Sequence, residues 1–132
     1  MHILLDTNIC IYIIKKHPLN IIERFTRFNV GDIAISSVTY AELCYGVVKS
    51  QHKEKNKAAL YEFCLPLEVL PFDDKAASHY AFIRNDLERK GEVIGSLEMM
   101  IAAHALSLDV TLITNNEKEF CRVQGLNFEN WV

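Results

Sequence analysis

Met1-His2-Ile3-Leu4-Leu5-Asp6-Thr7-Asn8-Ile9-Cys10-Ile11-Tyr12-Ile13-Ile14 opens the chain, and its reading decides the fold. The first apolar run is short and stops at Asp6-Thr7-Asn8, which is the pattern of a buried strand. The second runs up to Lys15-Lys16 and Pro18, and its length predicts a helix. A carboxylate at the C-terminal end of a first buried strand lies where open α/β folds place their ligands. Following the apolar Ile3-Leu4-Leu5, Asp6 is costly to bury without a cation or hydrogen-bond donors to compensate it. Its significance therefore depends on whether other acids reach the same place.

Downstream, Leu19, Ile22, Phe25 and Phe28 recur at near-helical spacing and predict a short amphipathic helix over 19–28. Asn29-Val30-Gly31-Asp32 is a turn, and Ile33-Ala34-Ile35 is a second compact strand. Ser36-Ser37 offers an N-cap to a helix with Val38, Ala41, Tyr45 and Val48 on one face and Glu42 beside it. Residues 49–57 form a polar, basic-rich segment, with a further helix expected around Ala59, Leu60 and Phe63. Leu67-Glu68-Val69-Leu70 is a third strand. Asp73 or Asp74 caps a helix carrying Ala76, Ala77, Tyr80, Ile83 and Leu87, and Gly91 ends it after Arg89-Lys90. The run Leu97–Leu106 is apolar nearly all round and predicts a central helix. Val110-Thr111-Leu112-Ile113-Thr114 is the most strand-like stretch, ending at Asn115-Asn116. A turn over Glu117–Phe120 and a strand at Leu126–Phe128 complete one domain over residues 1–132.

Strands that alternate with helices predict a three-layer α/β/α domain around a mostly parallel sheet of four to five strands. The C-terminal ends of strands one, two and four then deliver Asp6, the Ser36–Glu42 helix start and Thr114-Asn115-Asn116 to one edge.

Composition narrows the class. At 132 residues, 50% of them hydrophobic and 23% charged, the chain is long enough for a core and is not disordered. No apolar run approaches the roughly 18 residues that span a membrane. The start lacks the charged region and cleavage site of a secretory signal, so a cytoplasmic protein is expected. Cys10, Cys44, Cys64 and Cys121 show no C-x-x-C pairing, which argues against structural zinc and for reduced, mostly buried thiols. A net charge of −3 gives no global attraction to nucleic acid but leaves room for a local basic face.

Three acids converge in this topology: Asp6, Glu42 early in the third helix, and Glu98 in the first turn of the central helix. Asn116 follows the fourth strand and completes the ring. Clustered carboxylates repel and hold protons unless a divalent cation neutralises them. Oxygen ligands without His or Cys pairs suit Mg²⁺ or Mn²⁺ rather than zinc, and such ions activate water for attack on a phosphodiester. Each residue also has a plainer role: Glu42 and Glu98 favour a helix dipole, and Asp6 caps a helix.

Leu5-Asp6-Thr7-Asn8, Ser37-x-Thr39-x-Ala41-Glu42-Leu43-x-x-Gly46, Ile94-Gly95 with its acid, and Ile101-Ala102-Ala103-His104-Ala105 resemble the PIN-domain ribonucleases. Thr114-Asn115-Asn116-x-x-Glu119-Phe120-x-Arg122-Val123-x-Gly125-Leu126 extends the likeness to the closing Glu129-Asn130-Trp131. More narrowly, the chain resembles the VapC toxins of type II toxin–antitoxin modules. The resemblance implies a Mg²⁺- or Mn²⁺-dependent endoribonuclease, usually dimeric, inhibited by a VapB antitoxin. Heterotetramers or larger complexes with that antitoxin follow, with operator DNA reached only through it. The resemblance assigns Asp6, Glu42 and Glu98 as metal-organising acids and places Asn116 where PIN domains often carry a fourth acid. It makes Thr114 the hydroxyl that steadies a carboxylate or water, with Thr7 and Asn8 supporting Asp6. The family normally has Asp where this chain has Glu98, which predicts altered metal preference or slower cleavage. Its implied substrate is tRNA, including the anticodon stem-loop of initiator tRNA.

Among the basic residues, the Lys49–Lys57 cluster, with Lys49 and Lys53, and then Arg84 are the candidates to hold an RNA backbone. His104 reads as a packed core histidine. Two other readings stay open: a housekeeping PIN nuclease that processes RNA, and a domain that binds RNA or antitoxin without cutting. A phosphatase based on an Asp nucleophile would want a second acid at position 8, which is Asn8.

Overall fold

The computed structural model describes residues 3–132; Met1 and His2 of the opening stretch lie outside the described residues. Strand β1 (Ile3–Leu5) runs into helix α1 (Thr7–Lys15), followed by α2 (Leu19–Thr26) and β2 (Ile33–Ser36). Helices α3 (Ser37–Lys49) and α4 (Lys53–Cys64) lead to β3 (Glu68–Leu70), then α5 (Asp74–Lys90) and α6 (Ser96–Leu108). Strand β4 (Thr111–Ile113), the short α7 (Glu117–Phe120) and β5 (Phe128–Glu129) close the chain.

Among the described residues the five strands form one sheet in the order β3-β2-β1-β4-β5. Every pairing is parallel, so the expected mostly parallel sheet is wholly parallel. β1 is central. The chain builds outward on one side through β2 and β3, then crosses over to β4 and β5, which makes the β1/β4 junction the topological switch point.

Alternation along the strands separates the two faces of the sheet. Leu4 and Ala34 pack with Ile83, Leu87, Met99 and Ile101, the inward side of α5 and α6. Ile3, Leu5, Ile33 and Ile35 pack with Ile9, Ile13, Ile21, Leu43, Leu60 and Phe63 from α1 to α4. The result is the anticipated α/β/α layering. Leu4, Leu5, Ile9, Ile35 and Leu112 are fully buried. Each contributes about 1.5–3 kcal/mol relative to an exposed side chain.

Local signals set the boundaries. The Ser36 hydroxyl accepts from the Val38 N–H at 3.0 Å and starts α3. Asp73, rather than Asp74, caps α5 through the Ala76 N–H at 3.0 Å. Gly91 ends α5 at φ 67°, a left-handed conformation in which a side chain would be strained. Helix α4 starts at Lys53, so much of the basic segment expected to precede it lies within its first turns.

The face expected inward on α3 is shifted. Val38, Thr39 and Leu43 are buried, whereas Tyr45 and Val48 are 64% and 66% exposed. The inward stripe follows Thr39–Leu43 at i,i+4, which turns the 45/48 pair toward solvent. The cysteines are also less buried than expected. All are free thiols, with Cys10 buried, Cys44 and Cys64 half-buried, and Cys121 exposed.

The C-terminal tail is pinned to α2. Trp131 is 3% exposed and stacks on Phe28 at 5.6 Å between ring centroids. Asn20 donates to the Trp131 carbonyl at 2.7 Å, and Arg24 pairs with Glu129 at 2.7 Å. Truncating Trp131 to Ala is expected to cost about 3–5 kcal/mol in urea-induced unfolding. A loss under about 1 kcal/mol would show that the tail does not hold α2 against the sheet.

Candidate active site

Asp6 leaves β1 at its carboxyl end, at the switch point, with its N–H donating to the Ile113 carbonyl of β4 at 2.8 Å. The residue is only 5% exposed. Its Oδ1 accepts from the Thr7 N–H at 2.8 Å, and its Oδ2 accepts from the Thr114 hydroxyl at 2.7 Å. The carboxyl is therefore both an N-cap for α1 and a buried acid held from two strands. Burial pushes its pKa up, the two hydrogen bonds pull it down, and the negative charges of Glu42 and Glu119 raise it further. The balance is upward, because burial and the neighbouring charges outweigh the two hydrogen bonds.

Glu42 is half-buried on α3, and its Oε1 accepts from the Thr7 hydroxyl at 2.7 Å. Thr7 thus links the two acids, giving its N–H to Asp6 and its O–H to Glu42. Glu42 lies beyond the first turn of α3, so a helix-dipole role does not explain it. Thr114, fully buried, also accepts from the Asn116 N–H at 3.0 Å, which sets the turn after β4.

Glu98 occupies the first turn of α6. Its Oε2 accepts from the Gly95 N–H at 3.3 Å, the acidic half of a capping box that glycine cannot complete. Glu98 also hydrogen-bonds to Glu119, and its pKa is pushed up to about 7. The first cause is burial; the hydrogen bond to Glu119, the charge of Glu119 and that of Asp6 add to it, against the Gly95 N–H. Glu119 moves the other way, held down first by that bond, with Asn116 adding to the effect. Glu98 is therefore the member of the pair that holds a proton more readily, and Glu119 the one that stays ionised.

Glu119 was not among the acids expected from the sequence. It lies in α7, three residues after Asn116, whose Nδ2 donates to its Oε2 at 3.1 Å. Asn116 contributes here as the group that orients an acid. The signal for it in the sequence is the i,i+3 spacing from Asn116 across the start of a helix, which puts both on one side.

The other expected residues divide. Asn8 is exposed and lines the adjacent groove; the hydrogen bonds to Asp6 come from Thr7 and Thr114 instead. That groove, about 820 Å³, is bordered by Thr7, Glu42, Tyr45, Lys49, Leu97 and Met100. Lys49 therefore shares a groove with Glu42, while Asp6, Glu98 and Glu119 lie outside its lining. Lys53 lines a separate groove between α3 and α4 with Tyr40 and Cys64. Arg84, expected near the pocket, is bound on α5 to Glu88 and Tyr80, each at 3.2 Å, and lies outside that groove lining. His104 is the packed core histidine anticipated. It is 2% exposed, its Nδ1 is 2.8 Å from the Ser36 hydroxyl, its ring packs edge-on against Phe72, and burial lowers its pKa.

Whether these residues fit a metal turns on their donor chemistry. Among the described residues, no three His, Cys, Asp or Glu side chains already close on one point. Glu42 is turned to Thr7, and Glu98 to Glu119 and Gly95. The donors are nevertheless all oxygen, and the raised pKa values of Asp6 and Glu98 include mutual repulsion that a divalent cation would relieve. The set fits a hard ion.

Comparison with known proteins agrees with this geometry. The PIN domain model matches residues 3–126. Ribonuclease VapC2 of Haemophilus influenzae is 45% identical over 129 residues, covering 98% of this chain and 97% of that protein. The tRNA(fMet)-specific endonuclease VapC of Shigella flexneri is 47% identical over 128 residues, covering 97% and 96%. The chain belongs to the PIN-domain family, in its VapC branch. Among solved structures, DNA-bound VapBC from Salmonella typhimurium superposes at a TM-score of 0.95 with 44% identity, covering 100% of this PIN domain and 99% of that chain. VapBC2 from Rickettsia felis, bound to a promoter DNA fragment, superposes at 0.92 with 43% identity and full coverage of both chains.

The proton shared in the PIN-domain acid pair is directly measurable. In metal-free protein, the Glu98 carboxyl is expected to titrate near 7 by carbon-13 NMR. Glu119→Gln removes the neighbouring charge and should return Glu98 toward its ordinary value. A group raised on folding is stabilising while protonated, so the contribution of Glu98 to fold stability declines as pH rises from the ordinary carboxyl range through 7. Titration of Glu98 at its ordinary value in the unsubstituted protein would dismiss the shared proton.

Proposed function

We propose that this chain is a divalent-metal-dependent endoribonuclease, the toxin of a VapBC-type module, acting on RNA in the cytoplasm. The observation that carries the reading is the buried Asp6 carboxylate at the switch point, ringed by Glu42, Glu98 and Glu119, in a chain of the VapC branch. tRNA is the proposed substrate class, by similarity to the relative named a tRNA(fMet)-specific endonuclease. A VapB-type antitoxin is the proposed inhibitor, supported by the neighbours solved as VapBC complexes. The assembly would be a homodimer joined by antitoxin into a heterotetramer or larger complex, with operator DNA contacted through the antitoxin. No helix among the described residues is long and apolar enough to cross a membrane.

Asp6, Glu42 and Glu98, joined by Glu119, are the residues that would hold Mg²⁺ or Mn²⁺. The bound ion would neutralise the acids and stabilise the negative charge that develops on a phosphodiester under attack by water. The chain's own groups supply orientation. Thr114 fixes Asp6, Thr7 sets Asp6 and Glu42 together, and Asn116 holds Glu119. Lys49, in the groove that Glu42 lines, would meet the RNA backbone. A histidine base is not part of the scheme, since His104 is buried against Ser36.

A second reading, a domain that binds RNA or antitoxin without cutting, draws on Glu98. Its longer side chain reaches Glu119 and keeps a proton that a metal must displace. Mg²⁺ demands near-ideal geometry and tolerates such a displaced ligand poorly.

Cleavage of a tRNA pool separates the two. Asp6→Asn should lose at least ~100-fold in rate, with the same loss on chelating the metal. Retention of activity within a few-fold would remove Asp6 from the reaction. Glu98→Asp is expected to raise the Mg²⁺ rate relative to the Mn²⁺ rate; identical behaviour in both metals would show that the methylene has no consequence. No cleavage in either metal, by either protein, would favour the non-cutting domain.

A further inference from the structure

Helix α3 carries an aromatic side chain that the fold leaves uncovered in the groove that Glu42 also lines. Tyr45 is 64% exposed, although it sits mid-helix two residues from the buried Leu43. Glu42, Tyr45 and Lys49 fall at i, i+3 and i+7, one face of the helix, and all three border the 820 Å³ groove that Thr7 also lines. The Lys49 ammonium lies 5.0 Å from the centre of the Tyr45 ring, a cation–π contact on a side chain that remains mostly exposed. Lys49 is the one cationic side chain among the described lining residues of this groove.

We propose that Tyr45 and Lys49 form a nucleotide subsite for single-stranded RNA. The Tyr45 ring stacks on an unpaired base next to the phosphate that is cut, and the Lys49 ammonium meets a neighbouring backbone phosphate. The proposal rests on the ribonuclease reading and adds the part of the substrate that reading leaves open. Successive turns of α3 step about 5 Å from Glu42 to Tyr45 and again to Lys49, so acid, ring and ammonium succeed one another along a path on the scale of single nucleotides. Every base has a π face, and stacking on an aromatic ring demands that the base be free of a duplex. An acidic centre repels RNA phosphates, and a cation one turn beyond the ring offsets that repulsion where the strand leaves the site.

The subsite selects for an accessible base at one position, which restricts cleavage to loops and unpaired ends. It places no requirement on base identity beyond stacking strength, so discrimination among RNAs would come from shape as much as from sequence.

The test uses the full chain and a single-stranded RNA oligonucleotide carrying 2-aminopurine at successive positions around the cut. Stacking on Tyr45 should quench the probe at one position only. Tyr45→Ala and Tyr45→Leu should both abolish that quenching and raise KM about 5- to 100-fold, with a smaller effect on kcat. Tyr45→Phe and Tyr45→Trp should retain both signals. Lys49→Ala should weaken binding and lower the salt slope by about one. Quenching that survives Tyr45→Ala, or a Leu variant that matches the unsubstituted protein, would overturn the proposal. So would a KM change that follows dissociation of a dimer, or a loss confined to antitoxin affinity, since either makes this face a protein contact. The quenching is read at equilibrium without turnover, so absent cleavage would defeat the ribonuclease reading while the fluorescence still decides the subsite.

Discussion

A carboxylate cannot be buried at the end of a central strand without something to hold its charge, and Asp6 is 5% exposed with two donors, Thr7 and Thr114, on its oxygens. Those bonds offset part of the burial cost, while Glu42 and Glu119 add to it. Much of the architecture follows from that constraint. The parallel order with β1 in the middle brings the ends of β1 and β4 side by side, so one threonine from β4 reaches the acid of β1. Helix α1 starts on the same carboxylate, and its first residue, Thr7, turns its hydroxyl toward Glu42. Burial and neighbouring negative charge thus gather at one place, a local cost of the kind that functional sites retain. Its partial remedy is the hydrogen bond between Glu98 and Glu119, which favours a proton on Glu98.

The elements that fix this arrangement are legible in the amino-acid pattern itself. Ile3-Leu4-Leu5 broken by Asp6, Ser36 before an apolar helix, and the uniformly apolar Leu97–Leu106 each belong to a class with one strong physical meaning. Features set by rotation or long-range approach are not legible in that way. Tyr45 and Val48 have helical spacing to Val38 and Ala41, but spacing does not say which of two overlapping stripes faces the sheet. Here the stripe through Thr39 and Leu43 faces inward, and Tyr45 is left on the surface. Glu119 escapes for a different reason. Its partner is Glu98, 21 positions earlier on another helix, and local pattern carries no information about that meeting. The position of α4 within the basic segment likewise follows from lysines that are exposed on the helix rather than from any stop signal.

The two sides of the active region differ in character. Toward α6 and α7 the acids meet one another and Asn116. Toward α3 the acid Glu42 opens onto a groove with aliphatic, aromatic and cationic borders. A nucleic-acid substrate needs both, since the acids organise chemistry at the phosphate while the ring and ammonium hold what lies beside it. The tightly packed sheet beneath keeps Asp6 in place, while the exposed groove leaves its occupant free to exchange.

The most direct measurement is the anomalous scattering of Mn²⁺ in crystals of the metal-loaded protein. The account predicts one strong anomalous peak within coordination distance of Asp6 and shared with Glu98 or Glu119, lost in Asp6→Asn. Saturating Mn²⁺ that leaves no peak beside Asp6, or places it on acids elsewhere on the surface, would contradict the claim that these carboxylates are gathered to hold an ion.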